Sequence, residues 1–358
     1  MFWMMGPLTE IQVDRFDSRV VREGMLQRRK DRAVRCLTCN HRCLLHEQDV
    51  GVCGTRVNTE GSVKTLVYGN VSSLSNNPIE KKPFFHFAPG TKALTVGSWG
   101  CNASCPFCQN FDVSKGSPEP STTRYLSPER FVAMAQERNS SGISISFNEA
   151  ATLMLEWNTE AFREARDRGL YNTIVTNGYM TPKALDLLID AGLDAANVDV
   201  KGCEPEVTEI CGIRLQPVLD NVLRMFERGV HVELTTLVVP GLSDKMECLE
   251  HLGTWIVDST NAKTPWHLNR YHPAYKYPAP ITSRDLLREA RDMAKSIGLQ
   301  FVYVGNAGRA GFEDTVCPKC GTLCYERLGF ISKNIATDTE GRCETCGYDL
   351  GIDMGYRP

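Results

Sequence analysis

The sequence predicts an α/β fold in which a mostly parallel sheet forms a partial barrel. Between residues 93 and 305, short apolar runs alternate with longer segments that carry helix caps. Strands separated by helices of about 10–15 residues require parallel pairing with helical crossovers. The six or seven units in this chain fall short of the eight that close a barrel. We therefore expect a partial (β/α)6-type barrel with an open side, and a closed eight-stranded barrel is the lesser alternative.

The predicted strands are apolar and rich in β-branched residues. They cover residues 93–97, 142–147, 172–175, 196–200, 231–239, 266–271 and 300–304. Two predicted helices begin at a Ser or Thr cap followed by proline, at Ser127 and Thr181, and the second of them ends before Gly192. The predicted helices cover approximately residues 128–139, 159–168, 182–191, 217–228 and 283–296, with another after residue 243.

Composition and charge exclude several functional classes. The chain has 358 residues, of which 23% are charged, and its net charge is −3. This balance gives no electrostatic case for binding nucleic acid or an anionic membrane. No apolar run reaches the roughly 20 residues that cross a bilayer. The apolar start, residues 1–5, lacks a basic flank and is broken by Gly6 and Pro7, so we do not interpret it as a signal peptide and expect a cytoplasmic location.

The chain has 15 cysteines, and most of them fall into three groups. Without an export signal, this grouping favours metal sites in a reducing compartment, under anaerobic or low-oxygen conditions, over disulfides. The cysteines outside the three groups are expected to be packed thiols, and they are Cys203, Cys211, Cys248 and Cys324.

The central group follows the first predicted barrel strand and contains Cys101, Cys105 and Cys108 in a C-x3-C-x2-C pattern. Cluster ligation normally takes four cysteines, so three thiolates on a [4Fe-4S] cluster leave one iron without a protein ligand. The alternatives are three buried thiols or part of a zinc knuckle. Structural zinc takes four ligands, and no further Cys or His follows within about 30 residues. The trio therefore favours an iron–sulfur cluster that binds another ligand.

Polar residues stand at the carboxyl ends of the predicted strands. In parallel α/β folds these ends meet at one edge of the sheet, and ligands bind there. We expect a binding site around the cysteine trio that includes Asn148, Glu149, Thr176, Asn177, Asp199 and Lys201. For each single residue the alternative is a structural role at the rim, such as an ion pair between Lys201 and Asp199.

The cysteine motif and its setting resemble the radical S-adenosylmethionine (SAM) superfamily. This resemblance implies a [4Fe-4S] cluster whose open iron binds SAM and whose electron cleaves SAM to a 5′-deoxyadenosyl radical. Longer motifs are similar to the AmmeMemoRadiSam group, which is related to the pyruvate formate-lyase activating enzymes. These motifs lie at residues 36–54, 66–69, 78–83, 100–110 and 230–244.

The resemblance also implies roles for the strand-end residues. Glu149 lies where the superfamily holds the amino group of SAM, and Thr176 and Asn177 lie where ribose and methionine contacts are expected. Residues 199–201 resemble the Asp-Leu-Lys segment of glycyl-radical-enzyme activases, whose lysine reaches the SAM carboxylate. Relatives usually carry proline at the position of Ala150, so the turn after Glu149 is expected to differ here.

The two outer cysteine groups predict further metal sites. The C-terminal group forms two C-x2-C pairs, which is the pattern of a structural zinc ribbon, and contains Cys317, Cys320, Cys343 and Cys346. The N-terminal group has the spacing C-x2-C-x3-C-x9-C and contains Cys36, Cys39, Cys43 and Cys53, with His41 or His46 as possible substitutes. Zinc is the first expectation for it, a second iron–sulfur cluster for electron relay is the alternative, and disulfides or free thiols remain open.

These groups divide the chain into three expected parts. Residues 1–90 form a Cys-rich N-terminal metal-binding segment, residues 91–305 form the barrel, and residues 306–358 form a four-cysteine zinc-ribbon-like domain. The linker to the last part is expected at residues 305–315. The aromatic stretch at residues 266–277, or the C-terminal domain, is expected to form a lid over the site, with closure of the barrel edge as the alternative.

Two enzymatic functions and one non-enzymatic function are compatible with these features. The first is an activase-like enzyme in which the radical takes hydrogen from a protein or peptide residue, with a ferredoxin- or flavodoxin-type electron donor. The second is a radical C-methyltransferase that uses cobalamin, although no cobalamin-binding domain precedes the barrel. The third is a zinc-stabilised interaction module, which the cysteine trio and the ring of polar strand-end residues disfavour.

Overall fold

The computed structural model describes residues 11–308 and 311–355. The apolar start at residues 1–5 lies outside the described residues, as does part of the predicted linker, at residues 309–310. Within the described ranges, no helix combines the length and the hydropathy that a membrane span requires.

The strands form a large central sheet with smaller sheets before and after it. The first strands build two antiparallel sheets and are β1 (Arg22–Glu23), β2 (Gln27–Lys30), β3 (Ala33–Cys36), β4 (Leu44–Leu45), β5 (Arg56–Thr59) and β6 (Ser62–Thr65). The central sheet contains β7 (Ser73–Pro78), β8 (Lys92–Gly97), β9 (Gly142–Ile145), β10 (Tyr171–Thr176), β11 (Ala195–Asp199), β12 (His231–Val238), β13 (Trp266–Arg270) and β14 (Val302–Gly305). The last sheet contains β15 (Thr315–Val316), β16 (Leu323–Leu328) and β17 (Ile331–Asn334).

Helices alternate with the central strands and cover one face of the sheet. They are α1 (Phe111–Ser114), α2 (Pro128–Glu137), α3 (Ala150–Leu153), α4 (Leu155–Asp167), α5 (Pro182–Ala191), α6 (Glu206–Cys211), α7 (Leu215–Glu227), α8 (Met246–Ser259) and α9 (Arg284–Ile297). The predicted caps are present, since Ser127 accepts a hydrogen bond from the Arg130 amide and Thr181 accepts one from the Ala184 amide. These caps satisfy backbone N–H groups that have no partner within the helix.

The central sheet confirms the predicted fold class. Strands β8 to β14 are parallel and follow chain order across the sheet, so each crossover helix links neighbouring strands. The structure contains all seven predicted strands, whereas the helix predicted over residues 159–168 begins earlier, at Leu155. One edge strand differs from the expectation, because β7 comes from the predicted N-terminal segment and pairs antiparallel with β8. The sheet order ends at β14 and β7, which leaves the barrel partial.

The C-terminal sheet packs against the amino ends of the central strands. Phe301 and Tyr303, at the start of β14, share an apolar cluster with Cys317, Tyr325 and Leu350. The cysteine trio follows the carboxyl end of β8, so the C-terminal domain lies at the opposite end of the barrel. The prediction that this domain forms a lid over the site is therefore wrong, because its apolar contacts are with the amino ends of the strands.

A buried polar network closes the amino end of the barrel interior. The carboxylate of Glu233, on β12, accepts hydrogen bonds from the amides of Phe85 and His86 at 2.7–3.0 Å. Its other contacts are the Nε2 atoms of His267 at 2.7 Å and of His231 at 3.3 Å. Burial opposes ionisation, but the hydrogen bonds from His231 and His267 outweigh it and hold the pKa of Glu233 well below its usual range.

We expect Glu233→Gln to destabilise the fold by about 3–5 kcal/mol, because it removes a buried charge that several donors share. The depressed pKa means that the ionised form stabilises the fold above the usual glutamate pKa and that this stabilisation is lost as the pH falls. Chemical denaturation monitored by circular dichroism measures the change. The control is Glu137→Gln, at an exposed pair with Arg130, which should leave the midpoint unchanged. Equal midpoints for both variants would contradict a structural role for Glu233.

Candidate active site

A tight turn after β8 carries the cysteine trio. The side-chain amide of Asn148 clamps this turn, since its Oδ1 accepts from the Ser98 amide at 3.0 Å and its Nδ2 donates to the Gly100 carbonyl at 2.7 Å. Gly100 has a φ of 79°, and a Cβ at this position would lie 2.4 Å from the carbonyl oxygen of Cys53. Glycine is therefore required here. The Asn148 side chain therefore positions the cysteine loop, and its predicted contact with SAM stays a prediction.

The three thiols occupy different environments in this loop. Cys105 is buried, whereas Cys101 and Cys108 are half-buried. The Ala103 amide donates a hydrogen bond to Cys101 Sγ at 3.4 Å, and Ser114 Oγ lies 3.1 Å from Cys108 Sγ. Donors to the sulfurs are typical of iron–sulfur sites, where they tune the cluster.

Neighbouring groups shift the pKa values of two of these thiols in opposite directions. A hydrogen bond from Cys211 and the ammonium groups of Lys201 and Lys115 outweigh burial and lower the pKa of Cys105 to about 6. Burial, with the nearby carboxylate of Glu149, raises the pKa of Cys101 to about 12. A metal ion deprotonates a coordinating thiol outright, so iron binding overrides the second shift.

The carboxylate of Glu149 is held at the carboxyl ends of β9 and β10. Its Oε1 accepts hydrogen bonds from Thr152 Oγ1 and Thr176 Oγ1 at 2.6 Å, and its Oε2 accepts from the Asn177 amide at 2.8 Å. The Asn177 side chain in turn donates to Asn102 Oδ1 at 2.7 Å. Burial raises the pKa of Glu149 against these hydrogen bonds. The predicted residues Glu149, Thr176 and Asn177 therefore form one network beside Cys101.

An ion pair occupies the neighbouring strand end. Lys201 Nζ lies 2.5 Å from Asp199 Oδ2, and the lysine side chain is only 14% exposed. Burial opposes its charge, but Asp199 and the thiolate of Cys105 raise the pKa of Lys201 well above its usual value. Lys201 is therefore a fixed positive charge beside Cys105, and it makes the ion pair that was the structural alternative at this position.

The arrangement fits a cluster with SAM bound to it. Among the described residues, the three sulfurs of the trio do not all lie within 4.8 Å of one another, as the ligands of a single metal ion would. This wider spacing suits a cluster, because a cluster holds its thiolates further apart than a single ion does. Asn102 Nδ2 and Asp199 Oδ1 are buried beside the trio without a hydrogen-bond partner among the described residues. The carboxylate of Glu149 suits the amino group of an amino acid, and the ammonium of Lys201 suits its carboxylate.

An aromatic loop after β13 covers the cysteine loop. The Lys276 amide donates to the Pro106 carbonyl at 2.9 Å, and the rings of Tyr275 and Phe111 stack with centroids 5.0 Å apart. The predicted lid stretch, residues 266–277, therefore has two parts. Its first part is strand β13, and its last residues pack on the loop that carries the cysteine trio. This loop therefore shields the cysteines at the strand-end face.

The C-terminal thiols form a compact tetrad. The Sγ atoms of Cys317, Cys320, Cys343 and Cys346 all lie within 4.8 Å of one another. The Cys317–Cys346 and Cys320–Cys343 pairs are 3.6 Å and 3.7 Å apart. Tetrahedral zinc with Zn–S bonds of about 2.3 Å places its sulfurs about 3.8 Å apart. The tetrad therefore fits the predicted zinc-ribbon-like tail.

The remaining cysteines include one departure from the sequence prediction. Cys203 and Cys248 form a disulfide with a Cα–Cα distance of 5.8 Å, whereas they were expected to be packed thiols. The prediction is wrong for this pair, because the loop after β11 lies against the first turn of α8. Cys211 and Cys324 are buried free thiols, as expected.

The comparisons with known proteins agree with this site. The radical SAM superfamily matches residues 97–252. The uncharacterized protein MJ0808 of Methanocaldococcus jannaschii is 36% identical over 335 residues, which cover 93% of this chain and 99% of that protein. The pyruvate formate-lyase 1-activating enzyme of Escherichia coli is 24% identical over 189 residues, 50% of this chain and 75% of the enzyme.

Solved structures resemble this chain at lower sequence identity. SuiB of Streptococcus suis bound to S-adenosylmethionine has a TM-score of 0.48 at 13% identity, over 64% of this chain and 53% of SuiB. A radical SAM methyltransferase from Sphaerobacter thermophilus has a TM-score of 0.48 at 16% identity, over 60% and 66% of the two chains.

The chain belongs to the radical SAM superfamily and is a radical SAM enzyme. Within that superfamily it resembles the pyruvate formate-lyase activating enzymes, as the sequence motifs predicted.

Sequence reasoning missed two residues near the site. Lys115 Nζ donates to the Ala103 carbonyl inside the cysteine loop at 2.8 Å. Lys82 is buried, and its ammonium lies 4.8 Å from the centre of the Phe147 ring. Burial lowers the pKa of Lys82 to about 8. Residue 82 lies within a family motif, but only the fold reveals that its side chain reaches the end of β9.

We expect Glu149→Gln to weaken SAM binding about 10- to 100-fold, because a hydrogen bond to a charged group contributes about 1.5–3 kcal/mol. The cluster absorbance should remain, since Glu149 is not one of the cysteine ligands. The raised pKa also predicts that SAM affinity falls as the pH drops, because protonation removes the negative charge. Equilibrium binding under anaerobic conditions measures both effects. Glu160→Gln, at an exposed site bonded to Tyr68, is the control, and equal SAM affinity in both variants would refute the assignment.

Proposed function

We propose that the chain uses SAM-derived radical chemistry to take a hydrogen atom from a residue of a protein or peptide. The observation that carries the proposal is the strand-end arrangement of Glu149, Asn177 and Lys201 around the cysteine trio. When bound, the cluster and SAM supply a 5′-deoxyadenosyl radical. The protein residues bind the amino-acid part of SAM, hold it next to the cysteine loop and limit the access of water.

The barrel interior supports a polar substrate. On the interior face, Thr235 Oγ1 donates to Asn197 Oδ1 at 2.8 Å, and Asn197 Nδ2 donates to the Pro83 carbonyl at 2.8 Å. Lys82, next to Pro83 in the chain, is buried, and its ammonium lies 4.8 Å from the centre of the Phe147 ring. Amide and ammonium groups suit the carbonyl oxygens of a peptide better than they suit an apolar substrate.

Two further features support a macromolecular substrate. The edge strands β14 and β7 do not pair with each other, so the sheet is not closed into a full barrel; a gap between these edges would admit a peptide. The Escherichia coli relative is named as an activating enzyme of pyruvate formate-lyase, which makes another protein its target. A low-potential donor of the ferredoxin or flavodoxin type is the proposed source of the electron.

Product analysis after anaerobic reduction with SAM and candidate protein partners tests the proposal. The proposal predicts 5′-deoxyadenosine, methionine and a partner protein that has lost hydrogen or carries a radical. S-adenosylhomocysteine together with a methylated partner, especially when cobalamin is added, would instead identify a C-methyltransferase. Turnover of a small metabolite with no effect on any protein would overturn the proposed substrate class.

A further inference from the structure

We propose that the N-terminal cysteines bind a second [4Fe-4S] cluster and not zinc, and that this cluster lies next to the SAM site as an electron relay. The set is called the N-terminal quartet and contains Cys36, Cys39, Cys43 and Cys53. The relay role rests on the proposed radical chemistry, whereas the identity of the metal does not.

The N-terminal quartet surrounds one cavity. All four cysteines line it, together with residues of the neighbouring loop and of α3. A Cβ built on Gly51, which also lines the cavity, would lie 3.7 Å from Cys53 Sγ and 3.8 Å from Cys43 Sγ. The two sulfurs therefore face the same space, and the chain that separates these cysteines folds so that their side chains converge.

The spacing of the sulfurs distinguishes a cluster from a single ion. Among the described residues, the C-terminal tetrad is the one group of potential ligands within 4.8 Å of one another, and it fits tetrahedral zinc. Neither the N-terminal quartet nor the SAM-site trio meets that limit. The quartet thus lines a common cavity but is spread too widely for one zinc ion, as the thiolates of a [4Fe-4S] cluster are.

Arg56 supplies an independent indication of an anionic group in this cavity. It lines the cavity and is 1% exposed. Its terminal nitrogens bond to Glu156 at 3.0 Å and 2.7 Å, and one also bonds to the Leu153 carbonyl. Its Nε is buried without a hydrogen-bond partner among the described residues. Because an unpaired buried N–H is costly, a cysteine sulfur of an anionic metal centre is the partner that the site calls for. A zinc ion with four thiolates and a cluster with four thiolates are both anionic, so the choice of a cluster rests on the spacing of the sulfurs.

The cavity lies between the protein surface and the SAM site. On the outer side, Val52 is 57% exposed. On the inner side, the Cys53 carbonyl packs against Gly100, and His41 Nε2 lies 2.7 Å from the Asn102 carbonyl, beside Cys101. A reduced ferredoxin- or flavodoxin-type protein would lose one electron to the N-terminal cluster, which would then pass that electron to the SAM-site cluster and return to its oxidised state.

The test uses full-length protein reconstituted anaerobically with iron and sulfide in the presence of zinc. Wild type should hold about eight irons and about one zinc per chain. The triple variant Cys101→Ala/Cys105→Ala/Cys108→Ala should keep about four irons, with Mössbauer parameters of a [4Fe-4S] cluster and a reduced EPR signal that SAM does not alter. Adding Cys39→Ala and Cys43→Ala to this variant should remove the remaining iron and leave the tail zinc.

A triple variant that contains no iron and about two zincs would overturn the proposal. Wild type supplies a second measurement if that variant does not fold, because two reduced EPR signals, of which SAM perturbs one, support two clusters, and one signal contradicts them. These readouts do not require a substrate. Failure of the proposed reaction with intact double-cluster protein therefore remains distinguishable from failure of this inference.

Discussion

Replacement of Cys105 by alanine should abolish reductive cleavage of SAM completely. Cys105 is the most buried member of the trio, and Lys201 and Lys115 favour its thiolate form. Without this ligand, two of the three thiolates remain at the site, and two thiolates do not hold a [4Fe-4S] cluster that normally takes three or four protein ligands. Anaerobic assays should detect no 5′-deoxyadenosine above the protein-free control, and the EPR signal that responds to SAM should disappear.

Cys211 provides a matched control for this variant. Cys211 is also a buried thiol, and it hydrogen-bonds to Cys105. The variant Cys211→Ala therefore removes a sulfur atom next to the site without removing a predicted cluster ligand. This control should retain the SAM-responsive cluster and the cleavage of SAM. Retained cleavage in Cys105→Ala, or equal losses in both variants, would contradict the assignment of Cys105 as a ligand.

Replacement of Cys343 by alanine should release the tail metal and unfold the C-terminal sheet. Structural zinc contributes about 10–16 kcal/mol to the folding of zinc-finger peptides, which is more than a short tail gains from its own apolar core. The tail packs on Phe301 and Tyr303 at the amino ends of the barrel strands, so its loss exposes that surface. Zinc analysis should show loss of the tail ion, and limited proteolysis should cleave the tail.

The control for the tail is Cys324→Ala. Cys324 is fully buried in the same apolar cluster but does not belong to the tetrad. Its removal should cost packing energy and leave the zinc content unchanged. In Cys343→Ala, the SAM-responsive EPR signal should persist, because the tail and the trio lie at opposite ends of the strands. Intact zinc in Cys343→Ala would show that the tetrad is not the zinc site.

The alternation of apolar strands and capped helices predicted the parallel sheet because such local patterns survive in the fold. Helix caps at Ser127 and Thr181 form as predicted. The strand-end residues Glu149, Thr176 and Asn177 form one network, as expected for parallel strands whose carboxyl ends share an edge.

Contacts between residues distant in sequence were not predictable in this way. The partners of Glu233 include amides almost 150 residues away, and the strand carries no local sign of a buried charge. Arg56 pairs with Glu156 at a sequence separation of 100. The position of the tail depends on the apolar surface that Phe85, Phe301 and Tyr303 form together. Such features arise only when the chain is folded.

The most direct test of the radical SAM assignment is the quantity of 5′-deoxyadenosine formed by cluster-loaded wild type with SAM and dithionite under strictly anaerobic conditions. The assignment predicts 5′-deoxyadenosine and methionine in equal amounts, with no product when SAM or the reductant is omitted. Iron-loaded protein that binds SAM but forms no 5′-deoxyadenosine with any low-potential reductant would contradict it.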